Sequence, residues 1–148
     1  MNPSKRNGNN RQEKKYSSVK NKINSYRINE ENVQVIKASG TKGKGGDHGG
    51  EYWIIIAWGK RAGKAYINIV DDPARGPHPS FHIFLNKQSQ GRRVGSYAYK
   101  KCCEASSYDT IYAHMRKSNI ASIKSAKFAG FTDATTPCDN QYVMVWNR

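Results

Sequence analysis

Acidic residues are what this sequence has least of among its charges. Eleven Asp and Glu stand against 25 Lys and Arg, a formal net charge of +14 over 148 residues. Such an excess raises the local concentration of polyanions around the protein, be they nucleic acid, anionic membrane or phosphorylated small molecules. The basic residues run from Lys5 and Arg6 through Lys60, Arg61 and Lys64 to Lys124 and Lys127, so a single detachable tail does not account for them. Long apolar runs are missing too. The longest, WIIIAW at 53–58, falls far short of the roughly 20 residues of a membrane span, and the polar opening MNPSKRNGNNRQEKK has no apolar segment of the signal-peptide kind. Cysteine is scarce and unpatterned: Cys102 and Cys103 are adjacent and Cys138 stands apart, which argues against a disulfide framework and against paired CxxC zinc ligands. The expectation is a soluble, cytoplasmic protein with reduced thiols and no membrane partner.

The length suits one domain able to bury a core unaided. Residues 1–15 lack apolar periodicity and are expected to be a disordered basic segment, leaving 16–148 as the domain, with 16–50 its least patterned part. Val33, Val35 and Ile36 suggest a strand near 33–38. GTKGKGGDHGG (40–50) lacks the GxxxxGK[ST] of a phosphate-binding loop and reads as a flexible connection. EYWIIIAW and KAYINIV (64–70) form a hairpin, DDPARGPHP (71–79) a turn region and FHIFL (81–85) a further strand. Val94, Ala98, Cys102 and Ala105 recur at helical spacing. YDTIYAHMR (108–116) alternates as a strand. Asn119 suits a helix N-cap, Ile120, Ile123 and Ala126 one helical face, and Gly130 the stop, before a last strand at 141–146. This order predicts an α/β fold: a mixed sheet covered by helices.

Between the strand FHIFL and the next helix lies QGRRVGS (90–96). A strand-to-helix loop presents unpaired N–H groups and the positive end of the helix dipole, which suits a phosphate. Gly91 and Gly95 free the turn, Ser96 adds a hydroxyl, and Arg92 and Arg93 add charge that complements a pyrophosphate. The stretch resembles the Q/R-x-x-G-x-G/A signature of the GCN5-related N-acetyltransferases, with Gln90 first, Gly95 last and Arg93 where a glycine is usual. IYAHMRKSNIASIKSAKFAGF (111–131) resembles the same family's later strand and helix through Asn119, Ser122, Gly130 and Phe131. The first strand and first two helices of that family have no clear match in 1–50.

The resemblance implies a mixed, mostly antiparallel central sheet flanked by helices, and transfer of acetyl from acetyl-CoA to a primary amine by direct attack, with no metal. It implies that the backbone from Gln90 through Val94 to Ser96 holds the pyrophosphate. Asn119 and Ser122 would lie along the cofactor, and a backbone N–H near Phe84 or Leu85 would polarise the thioester. The family's usual tyrosine acid falls at Ala126. Tyr97, Tyr99, Tyr108 and Tyr112 are alternatives, better suited to core or surface. His82 and Glu51 are the candidate bases, acting through water. His78, His82 and His114 show no metal spacing. The basic surface points to an amine on an acidic or nucleic-acid-linked acceptor, and family analogy suggests a homodimer through an exposed last strand. The competing reading is a nucleic-acid-binding protein on the same scaffold without transferase activity, using Tyr52, Trp53 and Trp58 on bases.

Overall fold

The computed structural model describes residues 27–148; the expected disordered segment 1–15 lies outside them. Seven strands form one sheet in the order β1-β2-β3-β4-β5-β7-β6. They are β1 (Val33–Ala38), β2 (Glu51–Ala57), β3 (Lys60–Asp72), β4 (Gly76–Leu85), β5 (Thr110–Met115), β6 (Thr132–Asp133) and β7 (Tyr142–Asn147), with helix α1 (Val94–Ala105) between β4 and β5 and α2 (Ile120–Phe128) between β5 and β6. All neighbours pair antiparallel except β4 and β5, which run parallel. This is the mixed sheet that the order of elements predicts, mostly antiparallel as the family resemblance implies.

Alternation decides the faces. In β2, Glu51, Trp53, Ile55 and Ala57 are buried while Tyr52, Ile54 and Ile56 are half-buried on the other face. Its apolar members, Trp53, Ile55 and Ala57, join Ile67, Phe81, Ile111 and Met144 of other strands and Val94, Ala98 and Cys102 of α1 in one core. Cys102 and Cys103 are buried thiols, and burial pushes both of their pKa values up. α2 stops as its sequence predicts: Gly130 takes φ +101°, its N–H reaches Lys127 O at 3.0 Å, and Phe131 N–H reaches Ala126 O at 3.0 Å. That pair of bonds is a Schellman ending.

Three expectations change. β3 and β4 reach into DDPARGPHP, leaving only Pro73–Arg75 between them. The last strand is not an exposed edge, because Thr132 and Asp133 of β6 pair with Val145 and Met144. The glycine-rich segment 40–50 is a compact loop rather than a flexible connection. Asn68 binds it from both sides, accepting from Gly45 N at 2.8 Å and donating to Gly43 O at 2.8 Å, while Tyr108 donates to Gly49 O at 2.6 Å. A Cβ would lie 2.2 Å from backbone at Gly40, 2.6 Å at Gly46 and 2.5 Å at Gly50. The glycines permit close backbone approach, not looseness.

Arg75 locks the β3–β4 turn to the loop before β7. It donates to both oxygens of Asp139, at 2.9 and 2.7 Å, to Asp72 Oδ2 at 3.0 Å and to Ala134 O at 2.9 Å. Its bonds hold the Asp139 carboxyl well below the usual range; at Asp72, burial alone would raise the carboxyl but Arg75 outweighs it. Carboxyls lowered in the folded state give stability above their ordinary value of 3.8 that is lost as pH falls through the folded values. Arg75→Ala is therefore expected to lower Tm by several degrees at pH 7 and to flatten the loss of stability below pH 3.8. Arg75→Lys restores little, because an ammonium cannot reproduce the bidentate fork. Thermal unfolding across pH checks both.

Candidate active site

β4 and β5 pair at a single position, Ser80 with Tyr112, and diverge beyond it. Two clefts open there. On the helix side a cleft of about 590 Å³ is lined by Ile83 and Leu85 of β4, Gly95, Ser96 and Tyr99 of α1, and Asn119 and Ser122 at the start of α2. On the other side a cleft of about 380 Å³ is lined by Ser80 and His82 of β4, His114 of β5, Asp72, Cys138 and Asp139. The alternation of β4 sends Ile83 and Leu85 into the first and Ser80 and His82 into the second.

The helix-side cleft has the features that suit an anion. Val94, Gly95 and Ser96 form the first turn of α1, and the N-cap Arg93 offers no side-chain cap. Their N–H groups stand at the positive end of the helix dipole. Arg93 explains the departure from the signature: its φ is +71°, a left-handed backbone that a glycine adopts without strain. The guanidinium lies 5.2 Å over the Phe128 ring on the cleft wall. Arg27 and Lys124 also line it. Arg92, by contrast, turns away to the Trp58 ring, 5.8 Å off, and Val94 is core with no exposure. Gly95 leaves space of a set size: a Cβ there would sit 3.3 Å from Ser125 Oγ and 3.4 Å from Leu85 Cδ1. Gln90 Nε2 donates to Leu85 O at 3.2 Å, and Asn119 Oδ1 caps α2 by accepting from Ser122 N at 3.3 Å.

Leu85 and Phe84 separate in role. Asn86 N bonds back to Ala62 O, on the β3 side, at 2.8 Å, so alternation turns the Leu85 amide toward the open side of β4. Phe84 has 53% of its surface exposed and points to the opposite face.

Tyr99 is the residue that sequence reasoning set aside. Its hydroxyl lies 3.0 Å from Ser122 Oγ on the cleft wall, and burial pushes the phenol up to about 12. It is a proton donor throughout the neutral range. Ala126, where the signature family carries tyrosine, is fully buried; the helical stripe that places Tyr99 in the core also brings its tip to the cleft.

In the second cleft, Ser80 Oγ and His82 Nε2 are enclosed without hydrogen-bond partners among the described residues. Burial, helped by nearby His114, lowers the His82 pKa, so the ring is neutral at pH 7. Its ring stacks 5.1 Å from Tyr66. Glu51 is brought to neither cleft. It is 6% exposed, accepts from Ser106 Oγ, from Ser107 N at 3.2 Å and from Lys37 at 2.9 Å, and ties β2 to the end of α1 and to β1. Trp53, considered for stacking on bases, is 1% exposed and belongs to the core.

No family model matches the sequence and no curated relative is found. Solved structures do match. An acetyltransferase of the GNAT family from Streptococcus agalactiae superposes with a TM-score of 0.56 at 14% identity, over 66% of this chain and 65% of that one. N-acetyltransferase PseH of Campylobacter jejuni in complex with acetyl coenzyme A gives 0.52 at 20%, over 69% and 70%. The microcin C7 self-immunity acetyltransferase MccE, in complex with acetyl-CoA and AMP, gives 0.53 at 18%, over 67% and 61%.

The chain has the GCN5-related N-acetyltransferase fold. It spans about two thirds of the length of these acetyltransferase structures, between 61% and 70%. At such identities the likeness carries the fold, and the chemistry rests on the residues at the β4–β5 divergence. Among the described residues no helix is long and apolar enough to cross a membrane.

Arg93→Gly separates strain from charge. Relief of the left-handed backbone, offset by loss of the contact with Phe128, should stabilise the protein by about 0.5–1 kcal/mol in urea unfolding. The same change removes a cation from the cleft and should weaken binding of inorganic pyrophosphate by about tenfold, the loss of one charge-assisted bond, as read by calorimetry.

Proposed function

We propose that the protein is an acetyl-CoA-dependent N-acetyltransferase that passes acetyl directly to a primary amine. The observation that carries this reading is the uncapped N-terminus of α1 opening, with Arg93, onto the cleft where β4 leaves β5. The groups there fit the cofactor: helix N–H donors with no side-chain cap from Arg93, cationic side chains and a glycine wall for a pyrophosphate, and a cleft reaching Tyr99 for the thiol arm. Acetyl-CoA supplies an activated thioester when bound.

The chain's own groups then divide the work. The Leu85 N–H, on the open side of β4, donates to the thioester carbonyl oxygen and to the oxyanion that replaces it as the amine nitrogen attacks. His82 on the other face takes the proton of the acceptor ammonium through water, leaving the nitrogen lone pair free. The carbon–sulfur bond breaks, Tyr99 gives its proton to the leaving sulfur in the role left open by Ala126, and the proton that the new amide nitrogen sheds restores the Tyr99 hydroxyl through water. The enclosed, unpartnered Ser80 Oγ and His82 Nε2 suit a cleft completed by a polar acceptor. With a net charge of +14, the protein favours an amine carried on an anionic molecule, such as a nucleic-acid-linked or acidic acceptor.

Calorimetric titration of acetyl-CoA and of CoA should give micromolar binding to the wild type and none to Gly95→Glu, whose side chain meets Ser125 and Leu85 and repels phosphate. A folded wild type that binds neither ligand overturns the transferase reading and directs the search to nucleic acid. In a screen of amine acceptors, Tyr99→Phe should lower kcat by about 100-fold with CoA affinity unchanged. An unaltered kcat removes Tyr99 as the acid.

A further inference from the structure

Asp72 at the end of β3 and His114 on β5 line the second cleft, and His78, early in β4, meets them from behind that wall. One donor atom from each lies within 4.8 Å of the other two. The Nε2 atoms of His78 and His114 are 2.8 Å apart, and Asp72 Oδ2 lies 3.7 Å from the first and 3.9 Å from the second.

The protonation of His78 follows from its other nitrogen. Nδ1 sits 2.7 Å from Gly76 O. A carbonyl oxygen only accepts, so Nδ1 carries the hydrogen, and in the neutral ring Nε2 presents a bare lone pair. A backbone carbonyl behind one ring nitrogen is also the usual way a ligating histidine is oriented toward a metal. Asp72 is fixed in turn: Oδ1 accepts from Arg75 N at 2.7 Å and Oδ2 from Arg75 Nη1 at 3.0 Å. His114 can fill the His78 lone pair with an Nε2–H at 2.8 Å, but the same two nitrogens, with a carboxylate oxygen beside both, are equally a set of donors converging on one point.

We propose that Asp72, His78 and His114 form a binding site for a first-row divalent transition cation of the zinc type. Two imidazoles and one carboxylate are the donor set such ions take, with bonds of about 2.0–2.2 Å. Bonds of that length require only that the two rings part and the carboxylate close in by a few tenths of an ångström. Magnesium and calcium, which take predominantly oxygen ligands, do not suit it. Three protein donors leave a coordination position facing the cleft. The ion joins β3, β4 and β5 beside the Ser80–Tyr112 pairing, so binding stabilises the strands where they begin to diverge. This inference stands on the side-chain geometry and is independent of the acetyl-transfer reading.

The test uses the untagged full chain stripped with chelator, titrated with Zn²⁺ by calorimetry and with Co²⁺ by visible absorption. One equivalent of Zn²⁺, Co²⁺ d–d bands of a nitrogen and oxygen site, and a rise in Tm are expected. His114→Gln and Asp72→Asn should each weaken Zn²⁺ binding by about 100-fold or more, beyond what loss of an outer partner does. His48→Gln, on an exposed loop, should leave it unchanged. His114 has 15% of its side chain exposed and is a safer substitution than buried His78; circular dichroism of each variant checks the fold. A folded wild type without saturable Zn²⁺ binding, or binding of equal strength in folded His114→Gln, overturns the proposal and leaves the histidine pair as an N–H···N hydrogen bond.

Discussion

A single hydrogen-bonded register, Ser80 opposite Tyr112, governs the rest of this molecule. Parallel strands that stayed paired would close the sheet and leave no room between α1 and α2. Parting after one position, β4 keeps its β3 partner along its full length while its other edge faces open space. The backbone groups on that edge need partners, and Gln90 already supplies one to Leu85 O. The divergence also puts a cleft on each face at one level, so that two molecules can approach a common point from opposite sides of the sheet. Both clefts, and the histidine cluster at the wall of the second, follow from it.

Much of this was legible because it is local. The N-cap at Asn119, the ending at Gly130, the alternation of β2 and the strand-to-helix loop at QGRRVGS are each settled within a few residues of chain, where sequence pattern and physics coincide. The left-handed position at residue 93 was legible only as a mismatch with a known signature; the structure shows that the backbone demand is unchanged and that an arginine meets it under strain. What could not be read was assembled across the sheet. Asp72, Arg75, His78, His114 and Asp139 come from three strands, a turn and a loop, and no spacing along the chain announces them. Tyr99 was masked differently, since its helical position marks it as core and only the packing of α2 shows where its hydroxyl emerges. Glu51 looked available for chemistry because nothing in sequence tells that Ser106 and Ser107 will close over it.

The arginines near the helix start divide between scaffold and cleft. Arg92 covers Trp58 at the β2–β3 turn, and its carbonyl accepts from Ile28 N at 2.9 Å, so this residue holds the loop against the rest of the fold. Arg93, one position on, faces the cleft from a backbone that costs free energy to maintain. Adjacent identical residues thus serve opposite ends: one spends its side chain on stability, the other uses stability to place a charge.

The packed glycine loop at 40–50 bears on how such a sequence can change over time. Four of its positions lie against backbone so closely that only hydrogen fits, and Asn68 is matched to its peptide groups. Neutral drift is barred there, although the segment is short, polar and at the surface, where variation is ordinarily tolerated. Among divergent homologues the loop should behave like a core element: kept whole, or replaced whole by a different connection between β1 and β2, with few intermediates surviving between the two.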